Sequence, residues 1–189
     1  MELYEAIKNR RSIGKVKQDE VPKALIEKIL DAAVWAPNHF RTEPWRFFVL
    51  QGEGRLQLGD VLADIVKDTM DDPETEENKV RLDKNRKNPL RAPVVIAVGV
   101  EPSDNPKVIV QEEFAAVHAA VQNMLLSAHA EGLGAVWRTG DICYHKKVAE
   151  FFGLPDNGQV VGFIYLGYPD IDPKEPKKTS FESYTKWIG

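Results

Sequence analysis

The chain has 189 residues, of which 43% are hydrophobic and 29% are charged, and its formal net charge is −4. These values exclude a disordered or fibrous protein and fit one domain with a full-sized core. The acidic balance argues against a nucleic-acid partner. The apolar runs are too short to span a bilayer, so we predict no membrane partner. The N-terminus shows no apolar signal-peptide core, so we expect a cytoplasmic location.

Hydrophobic periodicity predicts helices and strands along the whole chain. We expect helices at 3–9, from Pro22 to about Ala36, across 58–66, at 109–131 and at 145–152, strands at 45–50, 93–100, 135–138 and 160–166, and a turn at 52–54. No internal repeat or linker divides these elements, so residues 1–189 are expected to form a single domain. Their order predicts an α+β or α/β layer in which helices cover one sheet.

Two segments stand apart from this pattern. Residues 71–88 are almost wholly polar, which fits either an exposed loop or a solvated helix lying over a site. The helix at 109–131 carries an apolar stripe from Phe114 to Ala128. We expect this helix to be the most buried one, and its stripe would also suit a dimer interface.

The basic segment Arg10-Arg11-Ser12 follows the first predicted helix. Guanidinium groups offer planar, bidentate donors to a phosphate, and the serine hydroxyl adds another donor. Two arginines at a helix C-terminus also serve as surface charges that compensate the helix dipole. The segment alone leaves both interpretations open.

Two further segments combine groups that suit a ligand. Residues 36–45 place amide, imidazole, guanidinium and indole groups between a helix and a strand. The alternative is an interdomain turn in which Pro44 sets the strand entry. Residues 132–140 contain three glycines, which let the backbone approach a flat ligand. They are not a dinucleotide fingerprint, because Trp137 stands where the third glycine would fall. A helix cap followed by an edge strand is the alternative.

Metal and nucleophile sites are not indicated. The four histidines, His39, His118, His129 and His145, show no metal-ligand spacing, so we predict no metal. Cys143 is the only cysteine and has no evident partner, so it is assigned no role.

Together these segments resemble the nitroreductase family of FMN-dependent oxidoreductases. The likeness covers nearly the whole chain and includes Arg10-Arg11-Ser12, the Ala-Pro loop before Pro44-Trp45, Gly132-Leu133-Gly134 and residues 166–169. It is greatest with the short, minimal members, in which a histidine follows Ala-Pro-x and the last motif reads Trp-Arg-x-Gly. The resemblance implies an α+β, three-layer fold with a central mixed, mostly antiparallel sheet flanked by helices.

The resemblance also implies a cofactor-binding role for ten residues. They are Arg10, Arg11 and Ser12 at the FMN tail, His39 at the FMN, Trp35, Pro37 and Asn38 in the loop that reaches the partner subunit's flavin, and Val136, Trp137 and Arg138 along the cofactor. FMN carries the redox chemistry, so no residue is assigned a catalytic role. Many members have a further arginine where this chain has Gly14, and we expect Lys15 or Arg138 to supply that charge.

The implied activity is electron transfer from NAD(P)H, by way of non-covalently bound FMN, to a small oxidised acceptor such as a nitroaromatic or quinone, in a ping-pong order. The implied assembly is a homodimer with FMN at the subunit interface and with residues 169–189 as an arm on the partner. A non-catalytic flavin carrier or sensor and a reductive dehalogenase are alternatives on the same fold. FAD is disfavoured because the sequence has no Rossmann signature.

Overall fold

The computed structural model describes residues 1–173 and 175–189. The helices are α1 (Leu3–Asn9), α2 (Lys23–Val34), α3 (Glu53–Lys67), α4 (Glu76–Lys87), α5 (Val110–Ala130), α6 (Asp141–Tyr144) and α7 (Lys146–Phe151). The strands are β1 (Trp45–Leu50), β2 (Val94–Val100), β3 (Gly134–Arg138) and β4 (Gln159–Gly167). Short 3-10 turns lie at Asn88–Arg91 and Phe181–Tyr184.

The four strands form one sheet in the order β1-β2-β4-β3, and all neighbouring strands are antiparallel. Ser12 adds a parallel bridge to Ala135 on β3, and the backbone N–H of Ile13 donates to the Ala135 carbonyl at 2.9 Å. The segment after Arg11 therefore extends the β3 edge. The predicted mixed, mostly antiparallel sheet is confirmed, with the parallel part confined to this bridge.

Helices cover both faces of the sheet. On one face α2 and α5 pack against alternate residues of the central strands, such as Ile96 and Ile164. On the other face α3, α6 and α7 pack against Val95 and Phe163. The side chains of a strand alternate between faces, and every residue of β2 is buried. The three-layer α+β fold is therefore confirmed.

Helix α5 has eight buried residues, more than any other helix of the described chain. Its stripe packs on the sheet and on α2, although Phe114 is only half-buried. Gly132 ends the helix with a positive φ of 76°, and the N–H of Leu133 donates to the Ala128 carbonyl at 2.9 Å. This is the αL termination that glycine favours.

The polar segment 71–88 contains a solvated helix rather than a loop. Thr75 caps α4 by accepting a hydrogen bond from the N–H of Asn78, and α4 has no buried residue. It lies against α3 at Gly59, where an added Cβ would be 2.0 Å from the Arg86 carbonyl oxygen. Only a glycine allows the two backbones to approach so closely.

One expectation about local structure was wrong, and one short helix was not predicted. The predicted turn at 52–54 is part of α3, since only Gly52 remains outside the helix, with a φ of 50°. Helix α6 was not predicted, because four residues after Gly140 are too few to show a period.

The C-terminal arm, predicted at residues 169–189, carries exposed aromatic side chains. Phe181, Tyr184 and Trp187 are 67%, 79% and 87% exposed, and Lys174 lies outside the described residues.

A search of the described residues found no helix that is both long enough and apolar enough to cross a membrane.

Candidate functional site

The first and third predicted segments meet at the outer edge of β3. Ser12 bridges to Ala135, and a Cβ added to Gly14 would lie 3.4 Å from Nη2 of Arg138. Lys15 instead pairs with Asp170, at 2.8 Å between Nζ and Oδ2. The guanidinium beside position 14 is therefore that of Arg138.

Arg10 presents an unsatisfied donor at this edge. Its Nη1 atom is buried, and within residues 1–173 and 175–189 it has no hydrogen-bond partner. Burial lowers the pKa of Arg10, and the charge of Arg11 lowers it further. By contrast, Nη1 of Arg11 donates to the carbonyls of Lys8 at 2.6 Å and Arg10 at 2.8 Å. A buried donor without a partner is costly, and the Nη1 atom of Arg10 carries this cost in the structure.

Arg138 presents a second donor of this kind. Its Nε atom is buried and has no partner in the described part of the chain, while its guanidinium carbon lies 5.1 Å from the centroid of the Tyr165 ring. The same side chain lines a small cavity of about 140 Å³ together with Asn85, Asn88 and Thr139. Sequence reasoning missed the two asparagines, because nothing in the polar segment 71–88 distinguishes them from solvated neighbours.

A larger open groove lies on the Arg10 side. Its volume is about 880 Å³, and Arg10, Arg11, Ser12 and Gln122 line it, together with the tail residues Pro173 and Pro176. Ligand pockets commonly have volumes of this order. The groove, the two unpartnered guanidinium atoms and the exposed Ser12 fit a ligand with an anionic tail.

The three β3 residues assigned to the cofactor point to both faces of the sheet. Val136 packs on the α3 side and Trp137 on the α5 side, where its ring centroid lies 5.5 Å from that of His118. Arg138 lies on the Tyr165 side. A ligand that touches all three must therefore lie along the strand edge rather than against one face.

The second predicted segment lies at the N-terminal end of α5. His39 Nδ1 is 2.7 Å from a Glu112 carboxylate oxygen, and Asn38 Oδ1 accepts the backbone N–H of Glu43 at 2.8 Å. Trp35 is 79% exposed, and Pro37 is exposed as well. The loop therefore presents an indole, a pyrrolidine ring and an imidazole outward.

Within one chain this loop and Arg10 lie at opposite ends of α5. The pKa of His129, near the helix C-terminus, is lowered by burial and then by the charges of Arg10 and Arg11, which places both arginines close to it. Glu113, at the other end, holds the His39 loop. At a rise of 1.5 Å per residue, Glu113 and His129 are about 24 Å apart along the helix. One chain does not bring His39 and Arg10 together.

The side chains of His145 and Cys143 have contacts within the chain, and the Cys143 thiol donates weakly to the Val160 carbonyl at 3.9 Å. His145 Nδ1 accepts the N–H of Lys147 at the start of α7. Burial raises the pKa of the Cys143 thiol to about 12. Across the residues that the structure describes, no three His, Cys, Asp or Glu side chains are grouped to hold a metal ion.

Comparison with known proteins identifies the class to which this fold and site belong. A family model described as the nitroreductase family matches residues 7–168. The Bacillus subtilis protein YfhC, provisionally named an NAD(P)H nitroreductase, is 39% identical over 179 residues, which cover 94% of this chain and 89% of YfhC. The chain belongs to the nitroreductase family.

Two solved structures agree with this assignment. The nitroreductase-like family protein from Bacillus cereus superposes with a TM-score of 0.84 at 32% identity, over 100% of this chain and 96% of that one. A protein from Desulfovibrio desulfuricans, provisionally named a nitroreductase and solved in complex with FMN, gives a TM-score of 0.71 at 26% identity, over 98% and 96% of the two chains. The predicted family is therefore confirmed.

Proposed function

We propose that this protein binds FMN without a covalent bond and transfers electrons from NAD(P)H to a small oxidised acceptor such as a nitroaromatic or quinone. The observation that carries the proposal is that two of the four buried, unpartnered side-chain nitrogens of the described residues, Arg10 Nη1 and Arg138 Nε, lie at the β3 edge of the sheet. They flank the segment that bridges to β3. The FMN complex of the Desulfovibrio relative supports the choice of flavin.

Arg10 is the proposed main partner of the FMN phosphate. Guanidinium and phosphate form charge-assisted, often bidentate hydrogen bonds, which would satisfy the buried Nη1 atom. Ser12, with an exposed side chain beside the same groove, adds a hydroxyl donor. Arg11 contributes positive charge while its own Nη1 is held by backbone carbonyls.

When bound, FMN supplies the redox chemistry, taking electrons from NAD(P)H and delivering them to the acceptor. The chain's own contribution is to bind, orient and shield the reacting partners. Arg138, Asn85 and Asn88 line one small cavity, and their side chains carry N–H donors. Such preorganised donors favour negative charge beside them. No side chain is required as a general acid or base, since water can protonate the acceptor.

We further propose that the working unit is a homodimer in which each site combines both subunits. Arg10 and the His39 loop lie at opposite ends of α5, so Trp35, Pro37, Asn38 and His39 would serve the cofactor of the partner. The exposed aromatic side chains of the C-terminal arm favour burial against a second copy. Sedimentation at micromolar concentration should show an FMN-loaded dimer, and an FMN-loaded monomer would contradict this assembly.

The order of reaction is proposed to be ping-pong, with NAD(P)H and acceptor using the same open site in turn. Anaerobic stopped-flow mixing of the FMN-loaded protein with NADH or NADPH should bleach the flavin absorbance, and a quinone or nitroaromatic should restore it. Bleaching by neither nucleotide would favour a flavin carrier or sensor. Restoration by a halogenated aromatic with halide release, but not by a quinone or nitroaromatic, would favour a reductive dehalogenase.

A further inference from the structure

Glu113 is the one charged side chain that is buried within the described part of the chain, with 2% of its surface exposed. One carboxylate oxygen accepts hydrogen bonds from Thr42 Oγ1 at 2.5 Å and from Asn38 Nδ2 at 3.3 Å. The other oxygen accepts the backbone N–H of Ser103 at 3.2 Å. The carboxylate therefore joins α5 to two loops.

The burial of this carboxylate is not explained by an ion pair. No lysine, arginine or histidine of the described residues forms a salt bridge with Glu113. Its place in the first turn of α5 gives it the favourable end of the helix dipole. The rest of the desolvation cost is offset by hydrogen bonds, of which two come from the loop between α2 and β1.

That loop is held in a conformation that a free segment would not adopt. Arg41 and Glu43 have φ values of 54° and 50°, in the region that favours glycine. Asn38 Oδ1 accepts the backbone N–H of Glu43, while its amide group donates to Glu113. Such a strained backbone persists only where the surrounding structure fixes it. Here the fixing contacts are the hydrogen bonds that Glu113 accepts from Asn38 and Thr42.

We infer that Glu113 is a positioning residue of the cofactor site in the partner subunit. Through Asn38 and Thr42 it fixes the loop that carries His39, and it acts across the dimer because this loop lies far from Arg10 of its own chain. The inference rests on the proposed FMN function and on the shared site. It assigns a role to a residue that does not itself touch the cofactor.

The test is complementation between two damaged subunits. Arg10→Ala and Glu113→Gln chains with different affinity tags are co-expressed, and the heterodimer is purified by both tags in sequence. The number of FMN molecules bound with wild-type affinity per dimer is then measured by fluorescence titration. Each homodimer should lack such sites, with the Glu113→Gln homodimer weakened roughly tenfold because one buried donor loses its acceptor.

The heterodimer should regain one wild-type site. It pairs the intact Arg10 of the Glu113→Gln chain with the intact loop of the Arg10→Ala chain, while the other site carries both defects. If each chain completed its own site, both sites would stay damaged and no tight site would return. A merely structural defect in the Glu113→Gln chain would likewise give no recovery.

Two controls make the outcomes separable. Glu131→Gln removes a carboxylate at the other end of α5, where it pairs with Lys28 at 2.7 Å, and should leave FMN affinity unchanged. Thr42→Val replaces Glu113→Gln if that variant does not fold, and should complement Arg10→Ala in the same way. A wild-type protein that binds no FMN would overturn the proposed function itself. Tight wild-type binding without heterodimer recovery would overturn the role of Glu113 across the dimer and leave FMN binding itself standing.

Discussion

The indole of Trp137 occupies the space in which any side chain at Gly162 would lie. Its Nε1 donates to the carbonyl oxygen of Val161 at 3.3 Å, and a Cβ added to Gly162 would be 1.9 Å from the same nitrogen. This contact holds the ring across β4 on the α5 side of the sheet. Trp137 therefore faces away from Arg138, its neighbour along the strand.

Gly162→Ala should lower the free energy of unfolding by about 1–3 kcal/mol, because the added methyl group forces the indole out of its position. In a Trp137→Ala background the same substitution should cost much less, since the clash is gone. Urea denaturation of the four proteins in this cycle measures the coupling. Equal costs in both backgrounds would show that the indole does not lie over Gly162.

Two glycines of α3 provide a matched pair. Gly59→Ala should destabilise the protein by about 1–3 kcal/mol, because its Cβ meets the backbone of α4 and α4 must move. Gly54→Ala should stabilise it by about 0.5–1 kcal/mol, since its Cβ meets nothing closer than 3.8 Å and alanine favours a helix. Thermal unfolding of both variants checks the signs.

The same pair tests the part of α4 in cofactor binding. Asn85 and Asn88, at the end of α4 and just after it, line the cavity beside Arg138. Gly59→Ala should therefore also weaken FMN binding, whereas Gly54→Ala should not. Unchanged FMN affinity in Gly59→Ala would separate α4 from the site.

The buried thiol of Cys143 makes stability fall at alkaline pH. Burial raises its pKa to about 12 from an ordinary value of 9.0, so between these values the unfolded chain loses a proton that the native protein keeps. The free energy of unfolding then decreases as pH rises through this window. The slope approaches about 1.4 kcal/mol per pH unit.

Urea denaturation of wild type and of Cys143→Ala at pH 8 and at pH 10 measures how much of the stability loss is due to the thiol. Wild type should lose about 1.4 kcal/mol more than Cys143→Ala between the two pH values, because only wild type carries the thiol. An equal loss in the two proteins would mean that the thiol is not buried.

The main helices and strands were predictable because their apolar residues recur at the spacing of a helix or a strand. Strand β2 is apolar at every position, as expected of a strand covered on both faces, and α5 shows a continuous helical stripe. Helix α4 has no such stripe, and its place is fixed by the close backbone contact at Gly59 and by the ion pair between Arg86 and Asp60 on α3. No local pattern reports a contact of that kind.

The candidate site was predictable only in part for a related reason. Arg10-Arg11-Ser12 and the Gly132–Gly140 segment each carry groups with an evident chemical use, and the sheet brings them together through Ser12 and Ala135. Glu113 looks in the sequence like an ordinary acidic residue in a first helical turn. Its burial depends on Asn38 and Thr42, which are far away in the chain.

Arg10 and Arg11 should differ sharply in FMN binding. Arg10→Ala should cost about 2–4 kcal/mol of affinity, roughly thirty- to a thousandfold, because a charge-assisted contact with a phosphate is lost. Arg10→Lys should restore only part of this, since lysine lacks the planar fork. Arg11→Ala should have a smaller effect, and fluorescence titration compares the three. Near-wild-type FMN affinity in both alanine variants would show that neither arginine binds the phosphate and that both are surface charges.

The most direct test of the proposed function is the flavin content of the purified protein. The protein is predicted to be yellow, and heat denaturation should release FMN, identified by chromatography against FMN and FAD standards, at about one molecule per subunit. A colourless protein that takes up no FMN on titration would contradict the account.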